Sequence, residues 1–170
     1  GRQLTAKELL TMAGDDIDEW FEEEPVLQRR MHILIGHLML ELGMADEAES
    51  HLIPALAAIE ASTQGEVWRM EEYPFALMEV ARLRLLQGDG VLAEELSAQS
   101  ESVLRGRGVS NPRAIEALVS RLEILDELAR FEECESLARE LLGLIDQVQF
   151  RVPETRMSQW GREDVEVVRR

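Results

Sequence analysis

His37 and Glu41 stand four residues apart in LIGHLMLELG, residues 34 to 43, so a helix there places both side chains on one face. An imidazole and a carboxylate at that spacing can share a metal ion or form an ordinary polar pair. The other imidazoles, His32 and His51, complete neither an HExxH motif nor a clustered Cys/His pattern, so the metal reading gains no further ligands. The expectation is a chain without a metal site or cofactor. Cys134 is the lone thiol, with no base that the sequence would bring beside it. It reads as a small buried contact rather than a nucleophile.

Other chemistry is equally sparse. GDG at 88 to 90 and GRG at 106 to 108 read as turns, and no P-loop, glycine-rich nucleotide loop, HRD-type or DFG-type segment occurs. With 34 acidic residues, no two carboxylates can be singled out as an acid/base pair. The chain is therefore expected not to be an enzyme. Trp68 and Tyr73, in the stretch STQGEVWRMEEY, are either lids over a gap between helical units or exposed anchors for a partner.

Composition narrows the partner classes. A net charge of −16 repels phosphate backbones and anionic lipid heads, which argues against nucleic acid. Seven acids crowd into DDIDEWFEEE, 15 to 24, either as a solvated helix face and turn or as an acidic docking surface. No apolar run approaches the ~18 residues of a membrane span, and one cysteine cannot close an internal disulfide. Together these point to a cytoplasmic protein without a membrane role. A start at Gly-Arg, with no initiator Met, reads as a piece of a longer polypeptide or a tagged chain.

The elements that would carry these residues are helices. Hydrophobic residues at 45% with aromatics at only 5%, and abundant Leu, Ala and Glu, favour helix, and no period-two pattern marks a strand. Thr5-Ala6-Lys7-Glu8 is a capping box that opens a helix of roughly residues 5 to 22, with Leu9, Leu10, Ala13, Ile17, Trp20 and Phe21 on its apolar face. Pro25 suits the first turn of the next helix, which runs to Gly43, the residue expected in a left-handed cap. Asp46 starts the partner helix, and the small side chain of Ala48 lets the two cross closely. Pro54 lies inside that partner and either bends it or ends it early.

The same grammar returns twice. FALMEVARLRLLQG, following Pro74, closes at Gly88 and pairs with VLAEELSAQSESVL, where Ala93 stands five residues past the glycine as Ala48 does. Ser110-Asn111-Pro112 caps RAIEALVSRLEILDEL, and ARFEECESLARELLGLI supplies its partner, with Ala129 at the turn and Cys134 at the small position. The turns lie 88 − 43 = 45 and 129 − 88 = 41 residues apart, a period of helical-hairpin repeats.

LIGHLMLELGMADEAESHLIPAL resembles the tetratricopeptide repeat: Ile35-Gly36, Leu42-Gly43, Ala48 and Ala55-Leu56 fill the positions of that pattern, while His32 takes a place usually aromatic or aliphatic. LARFEECESLARELL is similar to a second copy through Leu128, Phe131 and Cys134. In the middle copy Gly88 and Ala93 fit, and Arg84 and Gln87 depart from the pattern. Repeats longer than the usual form resemble those of kinesin light chains and of the tails of bacterial Ser/Thr protein kinases. The leader LTAKELLTMAGDDIDEWFEEEPVLQRRMHILIG is similar to the segment that joins such kinase tails to their first repeat. Seventeen Arg to one Lys is consistent with a GC-rich bacterial genome.

The resemblance implies an all-α, right-handed superhelix of about three hairpins: a capping helix in 1–24, repeats in 25–150, and a helix or tail in 151–170. First helices of such repeats line a concave wall. The repeat pattern places Arg30, Ile33, His37 and Glu41 there from the first unit, Met78 and Arg82 from the second, and Val119, Glu123 and Glu127 from the third. The wall is mixed and lacks the run of Lys and Arg that would clamp a terminal carboxylate. The implied function is protein–protein interaction, with a peptide or protein partner on the concave face, in the non-catalytic region of a signalling protein such as a Ser/Thr kinase. The alternatives are a homo-oligomerisation module, using helix 5–22 or the apolar edge of the last repeat, and an enzyme on a helical scaffold.

Overall fold

In the computed structural model, which describes residues 4–62, 71–107 and 112–149, every regular element is an α-helix. They run α1 (Ala6–Asp15), α2 (Ile17–Trp20), α3 (Pro25–Glu41), α4 (Ala45–Ser62), α5 (Tyr73–Leu86), α6 (Gly90–Arg107), α7 (Pro112–Glu127) and α8 (Phe131–Gln149). Helices α3 to α8 form three consecutive hairpins, and no strand occurs among the described residues. Residues 151–170, with the expected terminal helix or tail, lie outside the described residues, as does Trp68.

One turn closes all three hairpins. Gly43, Gly88 and Ala129 take left-handed backbone angles, with φ of 70°, 84° and 56°. In each turn that residue's N–H donates three residues back: Gly43 to Leu40, Gly88 to Leu85, Ala129 to Asp126. The next N–H reaches back five, from Met44 to Met39, Asp89 to Arg84 and Arg130 to Leu125. This is the paired pattern that satisfies the orphan carbonyls at a helix end and immediately starts the next helix. Glycine occupies the left-handed position at no steric cost, whereas Ala129 strains its Cβ to repeat it.

Small residues then let the first pair close. A Cβ on Gly36 would sit 2.5 Å from Leu52 Cγ, so α3 and α4 touch through a position that admits only hydrogen. Ala48 and Ala93 are fully buried on the second helices of their pairs. Cys134, in the same place on α8, is half-buried, and its Sγ lies 3.7 Å from the Leu122 carbonyl. Pro54 neither ends α4 nor faces the core: the helix runs on to Ser62 with the ring exposed.

Two apolar clusters fill the interior. One joins Ile17, Ile35, Met39, Leu52, Ile59, Leu77 and Leu83; the other joins Met78, Leu104, Leu118, Ile124, Leu125 and Leu141. Each fully buried Leu or Ile contributes roughly 1.5–3 kcal/mol, so the middle hairpin, which feeds both clusters, ties the array together. Tyr73 belongs to the first cluster; it is 3% exposed at the start of α5 and its hydroxyl accepts from Gln99 at 2.7 Å. Of the two sequence readings, it takes the buried one.

The leader departs from the expected single helix. The Thr5 capping box forms, but the helix stops at Asp15 and restarts at Ile17, with Asp16 between. Gly-Asp-Asp is a run of poor helix formers, and the break swings Ile17 to 1% exposure while leaving Leu9 at 52% and Trp20 at 60%. The apolar face predicted for one continuous helix is therefore only partly covered.

Candidate interaction surface

Helices α3, α5 and α7 stand side by side as the first members of their hairpins. Their common face holds a cleft of about 440 Å³, lined by Arg30, Met31, Ile33, Leu34 and His37 from α3, Phe75 and Glu79 from α5, Glu71 and Glu72 just before α5, and Glu116 from α7. Its floor is apolar, and Leu34 is 48% exposed.

A polar network crosses the face. Arg82 on α5 donates to Glu41 on α3 and, at 3.1 Å, to Glu79 on its own helix. His37 Nδ1 lies 3.1 Å from Glu79 Oε1 and 3.2 Å from Arg82 Nη1. With a proton on Nδ1, in the imidazolium or in that neutral tautomer, His37 donates to Glu79; with Nδ1 bare it accepts from Arg82, so the proton at this one atom chooses between the two bonds. The Glu79 bond raises the His37 pKa, and the Arg82 bond lowers that of Glu41. Burial works against the Arg82 charge, but the bond to Glu41 and the fields of Glu79, Glu41 and Glu123 outweigh it. At one end, Arg30 pairs with Glu71 at 3.2 Å and Glu72 at 3.7 Å, while Arg29 reaches Glu72 at 3.4 Å.

The nine residues assigned to the wall from the repeat pattern separate into three groups. Arg30, His37, Glu41 and Arg82 meet in the networks just described. Val119, Glu123 and Glu127 are exposed on α7. Ile33 is 9% exposed, and Met78 is 1% exposed inside the second cluster, so Met78 supports the wall from behind and offers nothing to a partner. The reason is helical phase: one residue further turns the side chain by about 100°. Glu79 takes the open position, in register with Phe75 and Arg82. Leu34, Phe75, Glu79 and Glu116 were missing from the sequence reading. The polar break at Glu79 inside the apolar run FALMEVA was the signal that could have found it.

A second polar cluster was not anticipated at all. His32 on α3 and His51 on α4 stack with ring centroids 5.2 Å apart and Nδ1 atoms 3.0 Å apart, while His32 Nε2 lies 3.0 Å from Asp18 Oδ1 on α2. Gln28 also donates to Asp18, at 2.8 Å. Only one of the two facing Nδ1 atoms can carry the shared proton. Burial, then the field of His32, holds the His51 pKa down; the His32 bond lowers that of Asp18. Among the described residues no group of three His, Cys, Asp or Glu is arranged to hold a metal ion, and no helix is long and apolar enough to cross a membrane. Set against family models, curated proteins and solved structures, the chain matches none.

Proposed function

We propose that the chain is a protein–protein interaction scaffold of the tetratricopeptide type, a right-handed superhelix whose concave face is the α3–α5–α7 wall. It serves as the non-catalytic region of a larger bacterial signalling protein, such as a Ser/Thr kinase, and holds protein or peptide partners in the cytoplasm. The observation that carries this reading is the threefold return of one left-handed turn, at Gly43, Gly88 and Ala129, with the first helices of the three hairpins adjoining around an open, apolar-floored cleft. Repeating hairpins expose a continuous inner face, and such faces recognise extended or helical peptides through side-chain pockets.

Selection of displayed random dodecapeptides on the intact chain tests it. Enriched peptides are expected to lose binding at least tenfold when Leu34→Glu and Val119→Glu are combined, with the helical circular dichroism unchanged. Peptides indifferent to both substitutions, or no enrichment, would sink the reading. A second reading, self-association, draws on Phe131 and Leu142, exposed at 63% and 65% on the last helix. Sedimentation at several concentrations separates the two.

A further inference from the structure

We propose that the cleft takes a cationic amphipathic segment: an aliphatic or aromatic side chain against Leu34 and Phe75, flanked by Lys or Arg facing Glu116 and Glu123. This rests on the wall being a binding face and adds the chemistry of what it binds. Two observations carry it. The first is the floor, where Leu34 is 48% exposed and Phe75 half-buried beside it, so an apolar group seated there removes surface from water. The second is the balance of charge that is still free. Arg30, the only arginine lining the cleft among the described residues, is held by Glu71 and Glu72, and the neighbouring Arg82 by Glu41 and Glu79. Glu116 and Glu123 are exposed; Glu123 lends its field to Arg82, but no ion pair engages either carboxylate among the described residues.

Among the described residues that line the cleft, an anionic segment would meet these carboxylates and no unpaired cation, and a chain of net charge −16 repels it before contact. A cationic segment gains on both counts. The whole-molecule field speeds its approach, and the apolar floor selects among basic sequences, because charge alone confers little discrimination. A second copy of the chain carries the same −16 and is disfavoured by the same field.

Three fluorescein-labelled dodecapeptides of equal length test this by anisotropy with the full chain: an amphipathic Leu/Lys peptide, its Ser/Lys counterpart and its Leu/Glu counterpart. The Leu/Lys probe is expected to bind at least tenfold more tightly than Ser/Lys and to weaken as salt rises, with Leu/Glu unbound. Glu116→Lys combined with Glu123→Lys should cost the Leu/Lys probe tenfold or more, and Leu34→Ser should bring it close to Ser/Lys. All three residues are exposed, so folding survives the changes. Equal binding of Leu/Lys and Ser/Lys, or indifference to all three substitutions, would overturn the proposal by reducing it to diffuse charge. Binding of Leu/Glu at the wall in place of Leu/Lys would overturn it while leaving the interaction scaffold standing; failure of selected peptides at the wall would remove the scaffold itself. A sedimentation coefficient that climbs with concentration in the natural chain but not in Leu34→Ser would make a second copy the occupant, and would equally overturn it.

Discussion

The first and third hairpins share a turn and differ in almost everything the turn connects. In the first, Gly36 and Ala48 let α3 and α4 meet at the limit of contact, and Arg82 fastens that hairpin to the second from a site still 20% exposed. In the third, Leu122 and Cys134 stand at the equivalent places, so the α7–α8 seam is filled by larger side chains. Arg121 fastens this hairpin to the second from inside the protein. It is 3% exposed, donates to Ser97 Oγ at 2.5 Å and to Glu94 Oε1 at 3.0 Å, and lies 3.4 Å from Glu101. Identical local geometry at the turn thus leaves the joints between hairpins free to be solvated or buried. The depth of the joint decides its worth, since water screens one guanidinium and not the other.

Removing the two arginines should break that comparison most clearly. Arg121→Ala takes the donor from the buried Ser97 Oγ and empties the space its stem fills, while Glu94 keeps Arg130 and Glu101 keeps Arg105; it is expected to cost about 1–3 kcal/mol, whereas Arg82→Ala costs about 1 kcal/mol or less. Urea denaturation of both variants measures the difference, and equal midpoints would refute the assignment of a buried and a solvated joint. Arg121→Met, which fills the site without a charge, should recover much of the loss.

The turns themselves offer a smaller and opposite pair of effects. Gly43→Ala meets no neighbouring atom, so its cost comes from the positive φ alone, roughly 1 kcal/mol. Ala129→Gly relieves the same strain and should stabilise by up to about 1 kcal/mol, part of it returned to the more flexible unfolded chain. Thermal melts of the two variants should move in opposite directions; shifts of one sign would mean the turns are not equivalent.

The finest contrast is between two imidazoles of the first hairpin. His37 has a raised pKa through Glu79, so its contribution is complete below the ordinary histidine value and fades as pH rises through the raised one. His51 has a lowered pKa through burial and His32, facing Asp15 on α1 and Asp18 on α2, so its contribution is complete above the ordinary value and fades as pH falls towards the lowered one. The two windows adjoin at the ordinary histidine value and do not overlap, so together these groups give global stability only a shallow maximum there. Proton NMR titration of the ring signals should nevertheless place His37 above and His51 below the free imidazole. The reverse order would show that the rings do not sit in these two environments.

Much of the helical layout was legible in the residues: the capping box at Thr5, the prolines at 25 and 112 in first turns, and the three turn positions. The site was legible only by halves. His37, Glu41 and Arg82 lie in one polar network and Arg30 in a separate one, while Met78, expected on the open face, is buried and Glu79 stands in its place. Nothing in the spacing of His32 and His51 anticipated their stacking.

What the amino-acid order determined by itself is therefore local: where helices start and stop, and that the same left-handed turn recurs, because caps and turns depend on backbone angles and hydrogen bonds a few residues apart. Which face of each helix is open was settled only by packing, since a phase error of one residue rotates a side chain by about 100°. The same holds for the buried Arg121 and for the Asp18–His32–His51 chain. Each joins residues from separate helices, and only the way those helices dock brings their charges within reach and sets how much water surrounds them.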